Sequence, residues 1–418
     1  MHQPLASASA ATRVPPVVRR NVTLFALAQS FTGAGMSFAY GLGPLMVVAL
    51  THSASLSGLS VALLGLSRFL VSYPVGKITD TYGRKPGILL GLVLACIGST
   101  LVGLSMNWAS AAVLIGGMLV FGMGMNAAQQ LRVAATDMFP PNMRARALGY
   151  VALGSLVGLM ISPVLINAGE TWSPRLGLDA LGLPWLILPV LIIGGMAVVA
   201  FVRPDPKEIG LNLQHYYPDY VPPVARAGAS STFSISRLLR DRPILLAIVS
   251  NAAATGNMSI VMVLTSLVLA HHGHSLSAIG FSHMFHSAGM FAFTVPLGRL
   301  ADRVGRERVM MPGVAVALAG AVLVSFTDLY WTITLGTFLV GLGWAAANVA
   351  ATALIADHAD TAQRGRAIGF GDSVSGGLSV ALALITGPLI QVYGLPAAGL
   401  LAILVAAVPL AMRLLPRP

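Results

Sequence analysis

Residues 74–85 read PVGKITDTYGRK, and residues 296–307 read PLGRLADRVGRE. Pro74, Gly76, Asp80, Gly83 and Arg84 recur as Pro296, Gly298, Asp302, Gly305 and Arg306, each at an offset of 222. One such match in isolation would mean little. Here it extends outward along the chain. Gly122-x-Gly124 recurs as Gly341-x-Gly343 at an offset of 219, and Asp137 with RARALGY (144–150) recurs as Asp357 with RGRAIGF (364–370) at an offset of 220. Two related halves with only small length changes between them form the basic plan.

Composition tells what surrounds those halves. The chain has 418 residues, 56% of them hydrophobic and 9% charged, and a mean hydropathy of +0.80. A soluble domain carries about 25% charged residues, because its whole exterior faces water. So few charges cannot cover a globule of this size, so the exterior must face lipid. Crossing the roughly 30 Å hydrocarbon core takes about 20 apolar residues as helix, and only helices or closed barrels satisfy their own backbone there. The long apolar runs lack the period-2 alternation of barrel strands. Spans are predicted at 22–50, 56–76, 86–105, 109–133, 147–167 and 184–202, then at 243–270, 276–297, 309–327, 331–356, 367–392 and 396–414. The expected fold is an all-α polytopic membrane protein: twelve transmembrane helices in two pseudo-symmetric six-helix bundles. Residues 1–21 form an N-terminal tail, 22–202 the first bundle, 203–242 a polar linker and 243–418 the second bundle. Within the linker, SISRLLRDRP (234–243) reads as a short basic amphipathic helix on the membrane surface.

The net charge of +11 and pI of about 10.4 would suit nucleic acid if the charges were clustered on a water-facing surface. Their positions argue otherwise. Arg13, Arg19, Arg20, Lys77, Arg84, Lys85, Arg144, Arg146, the linker arginines, Arg299, Arg303, Arg306, Arg308, Arg364, Arg366, Arg413 and Arg417 fall on one side of the predicted membrane. The other side receives Arg175. Positive charge stays inside, so both termini are expected in the cytoplasm. No nucleic-acid partner is expected. The single cysteine, Cys96, allows no internal disulfide and no CxxC metal site. The abundance of alanine, glycine and arginine suggests a bacterial inner membrane.

With this layout in place, the chain resembles the major facilitator superfamily over essentially its whole length past the N-terminal tail, closest in pattern to its bacterial drug–proton antiporter-like members. The resemblance rests on Gly76-x3-Asp80-x2-Gly83-Arg84-Lys85 between spans 2 and 3, and on Gly298-x3-Asp302-x2-Gly305-Arg306 between spans 8 and 9. Physically, Gly76 and Gly83 permit a tight turn and close helix approach. Asp80 can set a negative charge against a helix N-terminus, and Arg84 offers a planar fork to a carboxylate. The resemblance implies that Asp80 docks at the start of span 11, that Arg84 pairs with Asp137, and that Arg306 pairs with Asp357. Together they would form a latch holding the cytoplasmic side closed. In span 5, Gly158-x3-Ser162-Pro163 is similar to the glycine–proline motif G-x3-G-P-x2-G-G of the antiporter branches, departing from it at Ser162, Ile166 and Asn167. A kinked, closely packed helix accounts for the same residues.

A charge at mid-membrane costs about 2.5–3.5 kcal/mol on the insertion scale, so each one needs a reason. Arg68 lies eight residues before Gly76, roughly 12 Å into the membrane, and Asp372 lies six residues after Arg366, roughly 9 Å in. These depths suit a pair bridging the halves, weakened when Asp372 takes a proton. Alternatively Arg68 binds an anionic substrate or snorkels. His283 and His286 share a helix face and suit proton relay or anion binding; paired packing histidines fit equally. His271, His272 and His274 have no acid beside them in sequence, which argues against a metal site. The family places spans 1, 4, 7 and 10 around the cavity, bringing in Gln29, Asn126, Asn251 and Asn348, with Gln29 and Asn251 at equivalent positions. Arg132 could serve the cavity or Asp137.

The expected function is secondary active transport of a small organic solute by alternating access, coupled to protons and using no cofactor, with export slightly favoured. Import of an organic anion and a non-transporting sensor on the same fold are the alternatives. The chain is expected to work as a monomer in the bilayer. No nucleophile–base pair or phosphate loop G-x4-G-K-[ST] stands out, so an enzyme and ATP coupling are not expected.

Overall fold

A computed structural model describes residues 14–140, 143–220, 234–359 and 364–414. Among them, ten helices are long and apolar enough to cross a membrane. The other two spans are Arg144–Leu176, which contains two prolines, and the broken pair Leu276–Ala292 and Thr294–Val304. Span 1 is Pro16–Thr32, Ala34–Gly41 and Gly43–Thr51 in series. Spans 2 and 3 are Leu59–Tyr82 and Arg84–Asn107, span 4 is Ala111–Ala128 with Gln130–Asp137, span 5 is Arg144–Leu176 and span 6 is Leu183–Ala200. In the second half, span 7 is Arg242–His271, span 8 the broken pair, span 9 Arg306–Ser325, span 10 Tyr330–His358, span 11 Arg364–Tyr393 and span 12 Leu395–Leu414.

The helices overrun the apolar stretches, and this changes the reading of the repeated motif. Span 2 stays helical through Gly76 and Asp80 to Tyr82, so the loop expected between spans 2 and 3 shrinks to Gly83. Gly83 has φ +105° and its repeat partner Gly305 has φ +104°. A side chain is strained in that region, which is why glycine makes both turns. Gly76 is different. A Cβ there would meet nothing within 4 Å, so close helix approach does not explain it.

The duplication is also visible in packing. Span 3 lies against span 4 as span 9 lies against span 10. A Cβ added to Gly91 would sit 2.6 Å from that of Ala127, and one added to Gly313 would sit 2.6 Å from that of Ala346. Those four positions correspond across the repeat. Lipid gives no hydrophobic drive for helix pairing, so small residues that let backbones approach supply dispersion contact instead. In the first half the largest buried side chain, Trp185 of span 6, meets Phe121 and Phe38 edge-on, at centroid distances of 4.9 and 5.8 Å.

The linker does not behave as one unit. Its first part forms Pro206–Leu211 and Leu213–Tyr216, and Ile209 and Tyr217 join the core of the first bundle. The Tyr217 hydroxyl donates to the Met138 carbonyl at 3.2 Å, and burial raises its pKa, keeping it a donor. Near its other end the helix Ile235–Arg240 sets Leu238 into the core of the second bundle.

Between the halves, the hydrogen bonds and close backbone approaches among the described residues lie toward the ends opposite the motif turns. Glu170 at the end of span 5 accepts from the backbone N–H groups of Leu276 (2.7 Å) and Ser277 (3.0 Å), capping span 8. Ser266 donates to the Tyr40 carbonyl at 3.3 Å. Spans 2 and 11 touch backbone to backbone, since a Cβ on Gly58 would fall 1.6 Å from the Ala383 carbonyl oxygen. Toward the motif turns, Gly76, Gly369, Gly376 and Gly377 have open space where a Cβ would lie. Among the described residues, the hydrogen bonds and backbone contacts that join the bundles are thus concentrated on the far side.

Replacing Gly58 with valine should force the far-side seam apart. Nitroxides at Leu56→Cys and Val392→Cys, in a Cys96→Ala background, should show a distance longer by about 5 Å or more in double electron–electron resonance. An unchanged distance distribution would mean that this contact does not hold the seam.

Candidate functional site

Arg84 opens span 3, and its side chain turns back beneath the ends of spans 2 and 4. Its Nε donates to Asp137 Oδ2 at 2.7 Å and its Nη1 to Thr79 Oγ1 at 3.1 Å. A carboxylate from outside the motif completes the turn. Asp205 Oδ1 accepts from the Arg84 backbone N–H and Oδ2 from that of Lys85, both at 3.0 Å. The first N–H groups of a helix have no partner within the helix, so Asp205 satisfies two of them and opposes the positive end of the helix dipole. The same oxygen, Oδ1, caps the linker helix by accepting from Lys207 N–H at 2.8 Å. A Cβ on Gly83 would strike Asp205 Oδ2 at 2.7 Å, so glycine is needed for this approach as well as for its φ. Lys85 Nζ donates to the Ala200 carbonyl at 2.6 Å, tying span 3 to span 6.

The second copy is simpler. Arg306 Nε donates to Asp357 Oδ2 at 3.1 Å, and Nη1 bonds Asp302 one helical turn earlier. Gly298 meets the Val349 side chain at ordinary contact distance. Arg413 of span 12 pairs with Glu307. The Asp80 side chain, and with it the contact implied with the start of span 11, lies outside the described residues.

Between the bundles, Arg68 is in electrostatic range of both the Asp372 carboxyl and the Tyr40 hydroxyl, drawing spans 1, 2 and 11 to one place. Asn126 sits behind it, with Nδ2 donating to the Gly122 carbonyl (2.8 Å) and to Ser67 Oγ (3.3 Å). The second of these bonds ties span 4 to span 2 at Ser67, the residue before Arg68. In the other half, Asn348 Nδ2 donates to Asn251 Oδ1 at 2.9 Å, and Trp344 Nε1 donates to Thr255 Oγ1 at 3.1 Å. Gln29, the repeat partner of Asn251, is buried on span 1.

Both histidines are anchored to backbone carbonyls. His283 and His286 are buried, and their Nδ1 atoms lie 3.0 and 2.9 Å from the carbonyl oxygens of Ile279 and Thr337. A carbonyl only accepts, so each Nδ1 carries the proton. His283 Nε2 meets Ser266 Oγ at 3.3 Å. The pair thus joins spans 7, 8 and 10 in a packed seam. His272 has an acid neighbour distant in sequence, with Nε2 lying 3.2 Å from Asp328 Oδ1. Among the described residues no group of three metal-ligating side chains forms.

A family model for the Major Facilitator Superfamily matches residues 25–256 and 244–418. This chain belongs to that superfamily. Among similar proteins are the riboflavin transporter RfnT of Brucella anthropi, 26% identical over 412 residues covering 96% of this chain and 97% of that one, and the MFS-type transporter YdeG of Bacillus subtilis, 25% identical over 84% of this chain and 81% of that one. The multidrug resistance protein MdtG of Enterobacter lignolyticus is 24% identical over 89% of this chain and 85% of that one. The crystal structure of the nucleoside transporter NupG has the same fold, with a TM-score of 0.70 at 12% identity over 96% of this chain and 100% of that one. The chain is a multi-pass membrane transporter of this superfamily and not an enzyme.

Several residues of the transporter's working parts were not singled out from sequence. Asp205 carried a signal, since an acid directly before proline is a helix-start pattern. Glu170 is the one acid within span 5. Of the two partners open to Arg132, Asp137 is taken by another arginine. Arg84 holds Asp137, while Arg132 reaches Ser155 and Phe291. Gly158 of the span 5 motif faces span 1, and a Cβ there would lie 2.8 Å from Gly33 Cα. Close packing therefore accounts for it.

Asp205→Ala should remove the cap on span 3 and lower stability by about 1 kcal/mol, the ordinary value of a helix cap. It should also speed proteolysis within residues 203–220. Unchanged thermal unfolding together with an unchanged cleavage rate would show that Asp205 is not what holds the linker.

Proposed function

We propose that this transporter moves a small, partly apolar organic solute by alternating access, coupled to protons through Asp372. The observation that carries the proposal is the convergence of Arg68, Asp372 and Tyr40 from spans 2, 11 and 1, with Arg68 and Asp372 on opposite bundles. A carboxyl facing a guanidinium across the two bundles attracts them when ionised and releases them when protonated. Proton uptake at Asp372 would then favour opening toward the motif side, and proton loss would favour closing it. In this reading, Arg84–Asp137 and Arg306–Asp302–Asp357 hold the span ends that Asp80 latches when the motif side closes. The motif side is the cytoplasmic side, following the basic residues, and the protein works as a monomer in a bacterial inner membrane.

Export is the direction we favour, in line with the drug resistance named for MdtG. The amide pair Asn251–Asn348 and the Trp344 ring suit a solute with an apolar body and a few hydrogen-bonding groups. Import of an organic anion is the second reading, and the cation Arg132 at the seam between the bundles favours it.

The test is solute flux in proteoliposomes, using solutes first chosen by thermal shift, riboflavin and lipophilic cations among them. Wild-type protein should accumulate its solute in proportion to the pH gradient. Asp372→Asn should keep solute exchange but lose at least about tenfold in gradient-driven accumulation, the effect of about 1.4 kcal/mol of lost coupling. Full gradient dependence in Asp372→Asn would remove that residue from the coupling. Absence of gradient dependence in the wild type would remove proton coupling altogether.

A further inference from the structure

We infer that Arg132 anchors an oxyanion, a carboxylate or a phosphate, on the transported solute. The inference rests on the reading above only in treating the bound molecule as cargo. Arg132 lies in span 4, five residues before Asp137 and so about 7 Å in from the motif end. Its Nη2 donates to Ser155 Oγ of span 5 at 3.3 Å, and its guanidinium carbon stands 4.7 Å from the centre of the Phe291 ring of span 8. Its Nε is buried and has no hydrogen-bond partner.

Three features point to an incoming anion. The first is charge. Arg84, Arg306 and Arg413 each meet a carboxylate, whereas Arg132 enters no ion pair among the described residues. A hydroxyl and a ring face do not cancel a full charge, and an arginine stays charged when buried. A cation at this depth calls for a counter-ion, and among the described residues no carboxylate pairs with it. The second is geometry. Phe291 covers one face of the guanidinium, as cation–π contacts do. The in-plane edge that carries Nε remains, and this is the edge that grips carboxylate and phosphate in two parallel bonds. The third is position. Arg132 and Ser155 belong to the first bundle and Phe291 to the second, so an anion bound here bears on a contact between the bundles. An acidic lipid headgroup entering between spans 5 and 8 shares this chemistry, so the experiment must separate the two sources.

The test uses the full chain in phosphatidylcholine nanodiscs at constant ionic strength, with benzoate, phenyl phosphate or benzamide at about 10 mM. Benzoate or phenyl phosphate should raise the wild-type Tm by roughly 2 °C or more, while neutral benzamide should not. Arg132→Met should lose the shift, with a ligand-free Tm equal to or above that of the wild type, because an unbalanced charge has been removed. Arg132→Lys should keep only part of the shift, since it holds the charge but not the fork. A ligand-free Tm for Arg132→Met several degrees below wild type, or failure of both Arg132→Met and Arg132→Gln to fold, would make Arg132 a structural cation and overturn the inference. So would equal shifts in wild type and Arg132→Met, or no shift with either anion in the wild type. If phosphatidylglycerol itself raises the Tm through Arg132 and abolishes the benzoate shift, the occupant is a lipid headgroup and the solute inference falls. No arm depends on transport, so a loss of pH-gradient coupling leaves this inference standing.

Discussion

A backbone N–H or C=O left unpaired in hydrocarbon costs several kcal/mol, and nearly every feature of this structure answers to that constraint. The chain can leave a helix only where few groups are exposed or where a side chain replaces the lost partner. Spans 2 and 3 therefore meet at one residue, Gly83, with Asp205 accepting from the next two N–H groups. Glu170 does the same where span 8 begins. Buried hydroxyls turn back on their own helices, as Thr32 does to the Ala28 carbonyl, Ser105 to Val102 and Thr386 to Leu382. Each such bond lets a polar side chain sit among apolar ones without leaving its hydroxyl unpaired.

The two halves share a plan but differ in how it is held. Gly83 and Gly305 turn with nearly the same φ, and each is followed by an arginine bonded to the acid that ends the paired span. In the first half a carboxylate from the linker is added, so that turn is fixed to spans 3 and 6 as well as to span 4. In the second half Asp302 takes the arginine Nη1 that Thr79 takes in the first. The cavity helices differ too. Spans 1 and 4 are interrupted near Gly33 and Gln129, whereas spans 7 and 10 are continuous. In the second bundle the break falls in span 8 instead, between Ala292 and Thr294.

Much of the fold was legible in the sequence because the signals are strong. Low charge, twelve apolar runs and a duplicated motif leave few architectures open. The reading failed where two structures share one composition. Residues 77–82 are polar enough to pass for a loop, yet the helix continues through them, because a helix satisfies its own backbone outside lipid as well as inside it. The linker was read as a single polar stretch because Ile209 and Tyr217, which bury against the first bundle, are isolated apolar residues without periodicity. At the site, residue types were readable but partners were not. Nothing in the sequence brings Asp205 to Arg84, Asp328 to His272 or Phe291 to Arg132, since those contacts span between 56 and 159 positions. The histidine pair shows the converse. His283 and His286 share a face, but only the carbonyls above them show that both are occupied in packing.

The contact between Gly58 and the Ala383 carbonyl has a mechanical meaning. Side chains that interdigitate must be pulled out of one another's grooves before two helices can turn, and packed interfaces are bistable for that reason. Where backbone lies directly on backbone there are no knobs to withdraw. Spans 2 and 11 can then roll about that point as a bearing rolls. The toothed contacts elsewhere on the seam, such as Ile166 against Gly280 and Val380 against Gly65, are of the kind that must disengage before two helices can turn.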